Sequence, residues 1–295
     1  VIIYAEKGHQ IRGDLIAKAV LRSSLVPVPM TLEIDVRADA DMVNRLKEGK
    51  VLEANGNRYH IIKTMRVENR VAQGGRNFGG VKAIGLLENC HAIAFVRSTA
   101  LIRSKTTLAA IYKAAGATFK QFDGDVPISR FSCFKGDYPS VQIANVMQEE
   151  GGVIVYRNGK IGFMRLPDLF RQSAVISLPD NAADNVDSEF LERHGAPTFY
   201  SEDADGEIVQ GNTKKARTAV YAPFKTAQQL QNMSRYLVHR KRMKMTLNTR
   251  LKAGDIIDIT GGKPLVAITV AHVFEGGHDG VGNQYSKLWL GVMGV

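Results

Sequence analysis

Apolar and polar positions alternate with a period of two over several short stretches of the first third of the chain. Ala17 to Leu25, Met30 to Val36, Arg58 to Val67 and Gly79 to Leu87 are rich in branched residues and bounded by turn residues, the pattern of strands half exposed on a pleated sheet. Ala54-Asn55-Gly56 and Gly74-Gly75-Arg76-Asn77 fit hairpin turns. Short strands at this spacing predict a sandwich or small barrel rather than βαβ units. The period then changes to that of a helix. After Ser104-Lys105-Thr106-Thr107 come Leu108, Ile111 and a run of alanines, closed by Gly116. A second helix is expected from Pro139 or Ser140 to Glu150, with Val141, Ile143, Val146 and Met147 apolar and Gly151-Gly152 ending it. Val153 to Arg157, Asn158-Gly159 and Lys160 to Leu166 form the strongest local signal, because Asn-Gly supplies both positive-φ positions of a type I′ turn.

From Phe170 to Thr213 periodic apolar positions are sparse, and long loops or an insertion are expected. A helix resumes at Thr226 with Ala227, Leu230, Met233 and Leu237 at helical spacing. Then Met243, Met245, Leu247, Thr249 and Leu251 alternate with Lys244, Thr246, Asn248, Arg250 and Lys252, predicting a strand with one apolar and one basic face. Ile256 to Ile259, Leu265 to Phe274 and Tyr285 to Met293 complete a second set of β segments. The fold class this predicts is α+β and β-rich. Two barrel-like domains, 1–103 and 173–295, flank a small α/β region at 104–172.

Composition narrows the classes. At 295 residues, 44% hydrophobic and 23% charged, the chain can bury two or three cores. No apolar run approaches the roughly 18 residues of a membrane span, so no membrane insertion is expected. No charged-then-apolar leader is visible, so export has no support. Cys90 and Cys133 cannot build a disulfide framework and read as buried thiols.

Charge is unevenly spread around the formal +10. Asp180 to Glu207 is acidic, with Arg193 alone opposing it, and Lys214 to Lys252 is basic with no carboxylate. The basic block offers three readings: a solvated face, a phosphate-contacting surface, or a face that meets the acidic block of a neighbouring subunit and sets register in an oligomer. Arg240, Lys241, Arg242 and Lys244 are the candidate partner contacts.

Catalytic motifs are missing. A phosphate-binding Gly-x-x-x-x-Gly-Lys loop, a Gly-x-Ser-x-Gly elbow and His-Glu-x-x-His do not occur, so no enzyme, cofactor or metal is expected. The glycines of 74–80 and 276–282 read as hairpin loops. Ser201, Asp203, Asp205 and Gly206 begin like a calcium loop, but Asn212 stands where a bidentate Glu belongs, so a turn is the better reading. His272, Glu275, His278 and Asp279 lack the same-face helical spacing that holds zinc.

The order of elements resembles a known family. The helix opening at Thr106-Thr107-Leu108 and closing at Gly116, the run Met147-Gln148-Glu149-Glu150-Gly151-Gly152-Val153-Ile154-Val155-Tyr156, Ala253-Gly254-Asp255 before a strand, Val270-Ala271-His272, and Tyr285-Ser286 are similar to phage tail hub proteins of the late control protein D family and to the VgrG spikes of type VI secretion. The resemblance covers nearly the whole chain, least at the N-terminus and in 170–213. It implies a non-catalytic structural hub of a tail baseplate: a homotrimer whose six similar domains form a pseudo-sixfold ring between a hexameric tail tube protein and a trimeric central spike protein. Tape measure and baseplate wedge proteins are the further partners implied. The location implied is the virion, with assembly in the host cytoplasm. No oligosaccharide-binding-like domain or β-helical needle follows the hub region, so the resemblance implies a spike on another chain. The alternative is a nucleic-acid-binding β-barrel protein that uses 214–252.

Overall fold

A computed structural model describes residues 2–38, 40–68, 79–179, 184–186, 197–212, 218–276 and 282–294. The turn expected at 74–77 lies outside them, as do His278, Asp279, Lys214 and Lys215.

The first stretch holds β1 (Ile3–Ala5), β2 (His9–Ile11), β3 (Ile16–Ser24), β4 (Met30–Ala38), α1 (Ala40–Arg45), β5 (Val51–Ala54), β6 (Asn57–Glu68) and β7 (Gly79–Leu87). Asn55 and Gly56 both take positive φ, as a type I′ hairpin between β5 and β6 requires. The middle stretch holds β8 (Leu101–Thr107), α2 (Leu108–Ala114), β9 (Phe122–Asp123), β10 (Pro127–Cys133), α3 (Pro139–Glu149), β11 (Gly152–Arg157), β12 (Lys160–Arg165) and α4 (Leu166–Phe170). Thr107 caps α2, its hydroxyl accepting from Ala110 N–H, and Asn158 and Gly159 turn β11 into β12 with positive φ. Ser104 to Thr107, expected to lead into the helix, belong to β8, so the expected limit at 103/104 falls inside a strand paired to β10.

The last stretch holds β13 (Ala174–Pro179), β14 (Asp184–Asn185), β15 (Thr198–Glu202), β16 (Ile208–Gln210), β17 (Ala219–Tyr221), α5 (Ala227–Met233), β18 (Tyr236–Thr246), β19 (Ile256–Thr260), β20 (Leu265–Glu275) and β21 (Asn283–Gly294). Two expectations are corrected here. The segment expected to be loops carries β13 to β16: β13 and β14 are held by pairing with the distant β19 and β18, and β15 and β16 pair with each other across a turn. Leu237 is not the last helical position: α5 ends at Met233, and Leu237 enters a strand whose ladder to β21 runs from Tyr236 to Thr246.

The chain is α+β and β-rich. Among the described residues 13 strands form one sheet in the order β14-β18-β21-β20-β3-β4-β7-β6-β5-β1-β2, with β19 beside β20 and β13 beside β19. That order runs open and does not close into a barrel. The reason is local: from Thr269 to Glu275 the free edge of β20 is taken by β3, which joins the two halves of the chain edge to edge.

The halves share a connectivity. In chain order β3, β4, β6 and β7 lie in the sheet as first, second, fourth, third. The strands β14, β18, β20 and β21 read first, second, fourth, third in the same direction. The likeness extends further, since β5 pairs with the start of β6 as β19 pairs with the start of β20. The sheet is therefore a tandem of one unit, with the third strand of the C-terminal half beside the first strand of the N-terminal half. Alternation buries Ala19, Leu21, Leu32, Ile34, Val81 and Ala83 on one face, where α2, α3 and the β11–β12 hairpin complete the main core. Cys90 and Cys133 are buried free thiols in that core.

Candidate functional site

The four candidate contacts lie on β18, and the strand's geometry divides them. A capping box between Thr226 and Gln229 starts α5, and Ser234 ends it, so the basic run begins as a strand and not as a helix end. Opposite β21, His239 faces Gly291 and Lys241 faces Leu290, leaving Arg240 as a bulge. The bulge shifts the alternation. Lys241 shares the face of buried Met243 and Leu290, whereas Arg242 and Lys244 project from the other face beside Trp289 and Lys287. Lys244 Nζ stands 3.8 Å from the Tyr285 ring and Lys287 Nζ 5.0 Å from the Trp289 ring, so aromatic faces hold both ammonium groups.

The acidic block meets this strand within the same chain. Asp184 pairs with Arg242 and Asn185 with Lys241, Val186 N–H donates to Arg240 O, and an Asp184 carboxylate oxygen lies 3.6 Å from the Arg242 guanidinium. One of the three readings placed contact between the two blocks across subunits; for these residues it is intramolecular, because β14 is the edge neighbour of β18. The strand expected to carry a basic face to Lys252 ends at Thr246, so Arg250 and Lys252 leave that face, and β14 flanks Lys241 and Arg242.

The carboxylate-rich segments are accounted for by local bonding. Asp203 Oδ1 accepts from Asp205 N–H and Glu207 N–H, closing the β15–β16 turn with Gly206 at positive φ. His272 and Glu275 lie on opposite faces of β20. Glu275 binds Lys18 at 3.0 Å, while His272 is buried with Nε2 3.1 Å from Leu251 O and Nδ1 3.0 Å from Ser286 Oγ. Among the described residues no three His, Cys, Asp or Glu side chains are grouped to hold a metal.

Burial holds His272 below its ordinary value of 6.5, with Lys252 adding to the depression and the Leu251 carbonyl opposing it. The unfolded chain therefore takes up this proton first. Stability contributed by neutral His272 is complete above about pH 6.5 and is lost as pH falls through the depressed value. Urea midpoints are expected to fall between about pH 7 and pH 5, and His272→Gln to flatten that slope. An unchanged slope in the variant would place the titrating group elsewhere.

Signals legible as Glu149-Glu150-Gly151 and Ala253-Gly254-Asp255 turn out to be joints. Glu149 binds Lys225 at 2.7 Å, Glu150 binds Arg165 at 3.1 Å, and Glu149 O accepts from Asn232 Nδ2 at 3.0 Å. Gly151 sits at φ +64°, and a β-carbon there would approach Asn232 to 3.0 Å. One helix end is thereby tied to β12 and to α5. At the second joint Arg157 Nη2 donates to Gly254 O at 2.8 Å and to Asp255 Oδ1 at 3.2 Å, while Lys252 N–H donates to Asp255 Oδ2. Burial raises the Asp255 carboxyl above its ordinary range against the pull of Lys252 N–H and Arg157. The partners Lys225, Asn232 and Arg157 carried no signal in the sequence, because each is fixed by a contact about 80 to 100 positions away.

The fold has counterparts of full length. A tail protein from Neisseria meningitidis MC58 superposes with a TM-score of 0.64 at 9% identity, covering 99% of this chain and 95% of that one. The 43 kDa tail protein of prophage MuSo2 from Shewanella oneidensis gives 0.62 at 12% identity, covering 98% and 97%. The fold is similar to that of these tail proteins. The type VI secretion component c3393 of E. coli, described as structurally similar to the T4 tail proteins gp27 and gp5, gives 0.55 at 9% identity over 93% of this chain and 73% of that one. No protein-family model matches the sequence, and no curated protein matches it.

Proposed function

We propose that the chain is a non-catalytic structural hub of a phage tail baseplate. In this reading three copies form a ring of six similar units, which seats a hexameric tail tube on one side and a trimeric spike on the other, with 1–103, 104–172 and 173–295 as its working divisions. The observation that carries the proposal is the tandem connectivity of the large sheet. Two units of one topology, laid edge to edge in the same direction, present nearly equivalent surfaces twice per chain. Three such chains offer six. The full-length likeness to tail proteins, and to a secretion component itself likened to gp27 and gp5, supports the same reading.

The sheet also suggests how the ring closes. Within the chain the edge of β20 beyond its β19 contact is paired with β3. The equivalent edge, residues 62–68 of β6 beyond its β5 contact, has no strand beside it among the described residues. In a ring that edge faces the β14–β18 edge of the next copy, repeating the internal junction. In this reading Arg240, Lys241, Arg242 and Lys244 lie at that junction.

The test is the light-scattering mass of the purified chain, alone and with a candidate spike protein, followed by class averages of any oligomer. Three chains in a six-lobed ring are expected, with no mass shift on adding short DNA at physiological salt. A persistent monomer that gains mass with DNA, steeply weakened by salt, would replace the hub reading with the nucleic-acid one.

A further inference from the structure

Phe224 combines two unusual properties. It is 90% exposed, and it sits at φ +60°, a backbone region that glycine favours and a bulky residue seldom enters. Pro223 precedes it, and the turn is held on both sides, by Ala222 N–H donating to Tyr200 O and Lys225 N–H to Ser201 Oγ. A strained turn that displays an aromatic ring to solvent points to a docking role, because within the chain the display is stabilised by nothing the ring touches. Tyr221 and Ile208 on the adjoining strands are 47% and 65% exposed, and the β15–β16 turn beside them carries exposed Glu202, Asp203, Asp205 and Glu207. This surface is an apolar tip with an acidic collar.

Elsewhere the chain carries its complement. Phe95, Val96, Phe134, Tyr138 and Val141 are each 45–57% exposed. They are contiguous: Arg97 N–H donates to Asp137 O, Gly136 N–H to Arg97 O, and Val141 N–H to Tyr138 O. The neighbouring charges are mainly basic, Arg97, Arg130 and Lys135, while the Asp137 carboxylate accepts from Phe134 N–H. Such a patch marks an interaction surface.

We propose that the Phe224 tip of one copy docks on the Phe95–Phe134–Tyr138 patch of a second copy. Charge selects this pairing, since tip against tip would oppose carboxylates and patch against patch would oppose cations. Position selects it as well. The patch neighbours β6 at His60, in the stretch paired with β5 that precedes the 62–68 edge: Phe95 packs edge-on against His91, and His91 stacks on His60 at 4.0 Å. The tip belongs to the segment inserted in the chain between β14 and β18, the two strands that end the other side of the sheet, and Lys225 beside it is tied to Glu149 at the end of α3. The proposal rests on the ring reading, in which those two edges meet. The contact is heterologous, the type that closes a ring when the rotation between successive copies returns to the first.

The experiment measures light-scattering mass for the wild type, Phe224→Asp, Phe134→Asp and an equimolar mixture of the two variants, with thermal melts to confirm folding. Each variant alone is expected to be monomeric, because each lacks one side of the contact. The mixture is expected to give a two-chain complex, because one intact tip and one intact patch remain. Phe224→Ala is expected to raise the dissociation constant at least ~30-fold, and Phe224→Gly to raise the melting temperature of the monomer while weakening association. A wild-type ring that survives both Asp substitutions overturns this contact and leaves the ring reading standing. Dissociated variants that form no two-chain species on mixing overturn the heterologous pairing. A wild type monomeric at every concentration overturns contact and ring together.

Discussion

Alanine at position 152 is expected to lower unfolding free energy by about 3 kcal/mol. Gly152 follows the helix-ending Gly151 and opens β11 opposite Arg165. A β-carbon there would overlap the Phe163 ring tip and lie 2.5 Å from Met164 O. The carbonyl belongs to the hairpin backbone and cannot rotate away, so the hairpin must leave its place under the main core. The control is Gly159→Ala in the adjoining turn. Gly159 has open space around it and φ +78°, so the cost there is backbone strain alone, about 1 kcal/mol. Urea unfolding of both variants decides the point. A Gly152→Ala loss no larger than that of Gly159→Ala would mean that the hairpin gives way freely and does not brace the core.

Arg157→Ala is expected to cost about 2 kcal/mol at pH 7, reduced from the value for a fully buried pair because the Arg157 side chain is 36% exposed. The cost has a pH signature. Asp255 already titrates above its ordinary 3.8 through burial, and losing the guanidinium raises it further. With a raised folded value, the native state keeps the proton at pH values where the unfolded chain has released it. Stability then declines as pH rises from about 4 through the folded value. The gap between wild type and Arg157→Ala should therefore be smallest near pH 4 and widen toward pH 7, and Arg157→Ala combined with Asp255→Asn should lose that dependence. A gap independent of pH would assign the loss to the Arg157–Gly254 hydrogen bond and not to the charge pair.

These two sites also mark where reading the sequence succeeds and where it stops. Asn55-Gly56 and Asn158-Gly159 were legible because a type I′ turn needs two positive-φ residues in a row, and few dipeptides accept that. The ends of α2 and α3 were legible for similarly local reasons, a capping threonine before α2, a proline in the first turn of α3, and a glycine after each. Leu237 was misread because its spacing from Met233 suits a helix equally well, and the decision lies with β21, some 50 positions later. β1, β2 and the short strands β14 to β17 exist through their partners alone. The strand pairings whose tandem order supports the hub proposal have no local signature at all.

The candidate contacts were legible in part only. A run of cations reveals the sign of a surface but not which side chains share it, and the bulge at Arg240 puts the cations before and after it out of simple alternation. Phe224 was invisible as a feature because exposure and a positive φ are properties of the folded backbone.

The β3–β20 ladder has a consequence for synthesis. All the strands of the N-terminal half are available within 87 residues, yet the strand that covers the edge of β3 begins at Leu265. A chain emerging from the ribosome at ~5–20 residues per second therefore carries that edge uncovered for on the order of ten seconds or more. During that interval β3 and its neighbours can pair with another nascent chain, so a chaperone or slow translation across 88–264 would govern yield more than the final stability does.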